Sequence, residues 1–174
     1  MGLSYNLKIV PSFFFSEARV SRIRDIPGSK TILIILAWGT VTCLLPAFSC
    51  ECNPISVVIV FLFSTGLVFA RTAFFDILAI QGDRITGKET LPILWGEEKS
   101  FVIIKRVLAG LFVMIFMFGF TGLLAKNAFL LAFVPVVMFL LIRFFEKDRL
   151  VSGVDKEFIV ELSFFAAGGV AALI

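Results

Sequence analysis

The segment FFDILAIQGDRITGKETLPILWG, Phe74 to Gly96, is the most polar stretch of a chain that is apolar almost everywhere else. It brings Asp76, Asp83, Arg84, Lys88 and Glu89 together, punctuated by Gly82, Gly87 and Pro92. A plain loop between two membrane spans needs charge, but it does not need this arrangement of acids, bases and glycines. What flanks the segment decides how it is read.

The 174 residues are 59% hydrophobic, include 22 Phe, carry 17% charge and have a mean hydropathy of +1.03. A soluble domain has about 45–50% apolar and about 25% charged residues, so both departures point to a membrane protein. The absence of His excludes imidazole acid–base chemistry and His metal ligands. Cys43, Cys50 and Cys52 lack CxxC spacing and read as apolar fillers or as a local thiol pair at a helix end. The net charge of +3 would suggest nucleic acid in a soluble protein. In a chain this apolar, its distribution points to a lipid bilayer instead, with no nucleic-acid partner.

Five apolar segments are candidates for spans: Thr31–Phe48, Ile55–Ile80, Phe101–Ala125, Ala128–Ile142 and Phe158–Ile174. A spanning helix needs about 20 apolar residues, with about 17–25 tolerated. The fourth is short unless Arg143 snorkels and extends it. Pro46 and Pro135 fall inside apolar runs, where neighbouring helices can satisfy freed carbonyls. The start, MGLSYNLKIVPSFFF, is too interrupted to span and reads as the tail of a helix whose beginning is absent. Alternating sides from a cytoplasmic N-terminus places all of the 16 basic residues except Lys126 on the inner side. Cytoplasmic loops are enriched in Lys and Arg, so the expected topology has the Phe74–Gly96 segment inside and the C-terminus outside.

If the second span stays helical to its end, Asp76 and Asp83 lie seven residues apart on one face, about two turns from each other. Two carboxylates aimed the same way are costly without a cation between them. Magnesium, Mg2+, is the natural candidate, because it binds through one or two carboxylates plus substrate phosphates. Gly82 and Gly87 let the backbone approach a ligand, and Arg84 and Lys88 offer charge to phosphate oxygens. Spacing alone also admits a solvated loop with ordinary charge pairs.

Other residues admit plainer roles. Arg71 is five positions before Asp76, about 140° around a helix, so it shares a ligand only through a kink and otherwise snorkels or pairs with an acid on another helix. Lys30 and Lys8 can reach a diphosphate on the cytoplasmic side, though topology explains both. Glu161 reads as interfacial, and Gly168-Gly169 among alanines reads as a surface for close helix packing.

The run from Arg71 through Asp76, Gly82-Asp83-Arg84 and Gly87 to Thr90-Leu-Pro92 resembles the second aspartate-rich motif of the UbiA-type polyprenyltransferases. YNLKIVP and RIRDIPGSKTILIILAWG resemble the segment preceding that family's fifth helix. The resemblance implies an all-α polytopic membrane bundle in which residues 1–174 correspond to the last five helices of a nine-helix domain. It implies an intramembrane enzyme that transfers an isoprenyl group from a prenyl diphosphate to a lipophilic acceptor, often the aromatic ring of a quinone precursor. It also implies that Asp76 and Asp83 hold magnesium, and that Arg71, Arg84, Lys88, Gly82, Gly87 and Lys30 face the diphosphate or substrate.

Two departures are visible. Ala79 stands where the family usually has a further aspartate, and Gln81 where an acid is frequent. The first motif, N-D-x-x-D-x-x-x-D, is absent: Asn6, Asn53 and Asn127 are not followed by aspartate. The isolated chain is therefore expected to be inactive unless a separate chain supplies the first motif. The competing readings are a non-catalytic relative of the family and a transporter or channel component. The lack of an internal repeat argues against the transporter.

Overall fold

The computed structural model describes residues 28–49, 52–85, 90–121, 123–124, 128–147 and 152–172. Among them every regular element is a helix. We label these α1 (Ser29–Phe48), α2 (Pro54–Leu78), α3 (Ile80–Ile85), α4 (Leu91–Trp95), α5 (Glu97–Gly119), α6 (Ala128–Lys147) and α7 (Gly153–Ala172). α1, α2, α5 and α6 are long and apolar enough to cross a membrane. The expected fifth apolar segment, from Phe158, falls within α7, whose first turns carry Asp155, Lys156 and Glu157; its last two residues, 173 and 174, lie outside the described residues.

Each long helix buries one stripe. α2 presents Ile59, Phe63, Leu67, Ala70, Phe74 and Ile77 at steps of four or three, and α5 does the same with Phe101, Ile104, Leu108, Leu111 and Ile115. Pro135, Met138, Ile142 and Phe145 continue the pattern on α6. These stripes mesh into one core with α2 at its centre, packed on α1 on one side and α5 on the other, while α6 packs on α5 and α7 on α6. The remaining faces expose large apolar side chains such as Val58, Leu62, Val113 and Leu140, as a bundle solvated by lipid requires.

Local chemistry sets the helix ends. Asn53 caps α2, its side chain accepting the Ile55 N–H at 2.9 Å, and Pro54 takes the first turn, where its missing N–H costs nothing. Pro46 is accommodated by a turn of π-helix at Thr40–Leu44 ahead of it, so α1 bends without ending. Pro135 sits in the first turn of the α-helical part of α6, Phe133–Lys147, after a 3₁₀ turn at Ala128–Ala132, and so breaks no interior bond. The helix then runs past Ile142, because Phe145 still buries against the core and Lys156 Nζ donates to the Phe145 carbonyl at 3.4 Å. α5 begins before the expected Phe101, at a reversal where Gly96 adopts φ 85, with Glu97 and Glu98 at the positive helix start. Cys43 is a buried free thiol, and Cys52 is disulfide-bonded.

Candidate functional site

The cytoplasmic end proposed from charge distribution is where α1 begins and α2 ends. Gly28, in the left-handed region at φ 73, opens α1, so Ser29, Lys30 and Thr31 form its first turn. That turn meets the last turn of α2. Thr31 Oγ1 donates to Asp76 Oδ2 at 3.0 Å, and Lys30 Nζ lies 3.8 Å from Asp76 Oδ1. Asp76 and Thr31 are both buried, whereas Lys30 is exposed. The positive start of α1 adds to the field that favours a carboxylate here.

Asp83 reaches the same end by a route the sequence did not predict. α2 stops at Leu78, Ala79 turns at φ −86 and ψ 1, and α3 restarts at Ile80, with Asp83 N–H bonded to the Ala79 carbonyl at 3.0 Å. The two acids therefore stand on two helices joined at residue 79 and not on one continuous face. Asp83 is buried, and its charge acts unfavourably on that of Asp76. Ala79 itself is exposed at the joint.

Of the other expected contacts, Arg84 and Gly82 are exposed, and a side chain at Gly82 would meet nothing within 4 Å. Lys88 and Gly87 lie outside the described residues, as does Lys8. The Thr90-Leu-Pro92 run caps and opens α4, with Thr90 and Pro92 buried. Among the described residues Thr90 Oγ1 has no hydrogen-bond partner. Leu91 packs against the start of α1, where a Cβ on Gly28 would come within 3.3 Å of Leu91 Cδ2, so this run braces the turn that carries Lys30 and Thr31.

Arg71 points elsewhere. α2 is an unbroken helix from Arg71 to Asp76, and Arg71 pairs with Glu161 on α7, with its guanidinium 4.6 Å from the Phe75 ring centroid. This gives Glu161, expected from sequence to be interfacial, a partner on α2, and matches the acid on another helix expected for Arg71. Around the pair lies a cavity of about 620 Å³, lined by Trp38, Val68, Phe164, Phe165, Gly168 and Gly169. The two glycines do not mediate close packing between described helices, because a Cβ on either would meet nothing within 4 Å; they widen the cavity wall instead.

The sequence assigned no role to Thr31 or Trp38. Only Thr31 had a signal there: a hydroxyl in the first turn of a span, at the same membrane side as the acidic motif.

The donors at the Asp76 end are oxygens only. Among the described residues no three Asp, Glu, Cys or His side chains converge as a metal cage. Two carboxylates without soft ligands suit magnesium, which takes its remaining oxygens from water and substrate phosphates. The profile of the UbiA prenyltransferase family matches residues 22–167. No curated protein and no solved structure matches the chain.

Proposed function

The chain belongs to the UbiA prenyltransferase family, and from that premise we propose that it forms the part of a prenyltransferase that grips the diphosphate of an isoprenyl donor. The observation that carries this reading is the contact of buried Asp76 with Thr31 and Lys30, at the end of the bundle where Asp83 is also buried. Asp76 and Asp83 would hold magnesium, which when bound neutralises the diphosphate and makes it a better leaving group.

The chain's own residues do the rest. Thr31 fixes the orientation of the Asp76 carboxylate by donating to one oxygen. Lys30 and Arg84 are exposed cations at this end and would take phosphate oxygens; the family resemblance assigns the same role to Gly82, Gly87 and Lys88, the last two outside the described residues. Val68, Arg71 and Trp38 place the cavity deeper along α1 and α2, since Val68 is eight residues, about 12 Å, from Asp76. There Trp38, Phe164 and Phe165 offer apolar walls to an isoprenyl tail. In the transfer the bond between the allylic carbon and the diphosphate oxygen breaks. A bond from a lipophilic, quinone-precursor-like aromatic acceptor to that carbon forms, and the acceptor loses a proton.

One acidic pair leaves part of the magnesium ligation of a diphosphate to other groups, which in this reading a polypeptide bearing N-D-x-x-D supplies. The site faces the cytoplasm in this reading. The test uses inverted and right-side-out membrane vesicles containing the chain, with and without a polypeptide bearing N-D-x-x-D, and a radiolabelled isoprenyl diphosphate added outside. Magnesium-dependent transfer to a lipophilic acceptor in inverted vesicles, only with the second polypeptide, is the expected result. Transfer from the outer face would overturn the orientation. Failure of transfer in every combination would leave the chain a non-catalytic relative.

A further inference from the structure

Asp76 has two partners of different character. Thr31 is buried and directs its hydroxyl to Oδ2 at 3.0 Å, whereas Lys30 sits 3.8 Å from Oδ1 with its side chain 54% exposed. The first contact fixes the carboxylate, and the second is a loose ion pair made by a flexible stem with three rotatable donors. A lysine so placed can leave without freeing the carboxylate to rotate. Asp83, buried at the same end, adds a second negative charge there.

We infer that Lys30 is an exchangeable counter-ion of Asp76. It competes with a divalent cation for Oδ1 and moves to a phosphate oxygen when cation and diphosphate bind together. This rests on the reading of Asp76 and Asp83 as the metal-holding pair. It requires one residue to oppose metal binding alone and to favour binding of the metal–diphosphate pair, a sign reversal that a purely structural lysine does not produce.

The test takes the full 174-residue chain in detergent micelles and measures Mn2+ binding by the electron paramagnetic resonance of the free ion. Inorganic pyrophosphate is then titrated at saturating Mn2+. Lys30→Gln is expected to tighten Mn2+ about two- to fivefold, the range of a mostly exposed ion pair. The same variant should weaken pyrophosphate about fivefold or more, through loss of a charged hydrogen bond. Lys30→Arg should keep the competition, and Lys99→Gln, an exposed charge at the start of α5, should change neither affinity. Mn2+ binding that Asp76→Asn abolishes but Lys30→Gln leaves unchanged or weakens would overturn the inference and leave the site reading intact. Mn2+ binding insensitive to Asp76→Asn would overturn both.

Discussion

Thr31 and Asp76 are 45 positions apart, and Arg71 and Glu161 are 90 apart. Neither pairing leaves a trace in local pattern, because a hydroxyl in a first turn or an arginine in an apolar helix is compatible with many partners. The acids were legible, since a carboxylate at the end of a span is costly and so marks a function by default. Their partners were not. The Thr31 bond should matter in proportion to the burial of both groups. Thr31→Val keeps the shape and removes the donor, leaving a buried carboxylate oxygen without it, at a cost of about 1–3 kcal/mol. Thermal unfolding followed by circular dichroism should show a lower midpoint for Thr31→Val and a near-native one for Thr31→Ser. Equal midpoints for the two variants would show that the hydrogen bond contributes nothing.

At the scale of elements, the apolar runs located the four spanning helices to within a few residues, and the single break at Ala79 was invisible. Ala79 is a good helix former, so only the packing of α3 and α4 against the end of α2 selects the turn there. The apolar run expected from Phe158 lies within α7, which starts earlier, at Gly153, and carries Asp155, Lys156 and Glu157 ahead of that run. The reach of Lys30 and Thr31 depends on how closely α1 crosses α2, and Gly39 sets that distance. A Cβ there would lie 2.4 Å from Thr65 Cγ2 and 2.7 Å from Phe61 Cε2. Thr65 is β-branched and cannot swing aside, so Gly39→Ala should force the helices apart at about 1–3 kcal/mol. It should also weaken Mn2+ binding at Asp76. Gly110→Ala, where a Cβ meets nothing within 4 Å, should be neutral or slightly stabilising. Indistinguishable unfolding midpoints and Mn2+ affinities for the two variants would contradict this account of the crossing.

For the whole molecule, composition was enough to read an all-helical membrane bundle, because a backbone in lipid must satisfy its own hydrogen bonds. The family followed from some twenty residues around Asp76 and Asp83, and residues 22–167 match its profile. The cavity between α1, α2 and α7 was not readable, because it arises from where α7 stands and not from any residue type in it. The central claim is that the two acids at one end of this bundle hold a diphosphate through a divalent cation. It is tested most directly by calorimetric titration of an isoprenyl diphosphate into the micelle-embedded chain, with magnesium or with chelator, for the native protein and for Asp76→Asn/Asp83→Asn. The account predicts magnesium-dependent binding in the native chain and a loss of at least about tenfold in the double variant, equivalent to about 1.4 kcal/mol. Equal affinity with and without magnesium, or an unchanged affinity in the double variant, would contradict it.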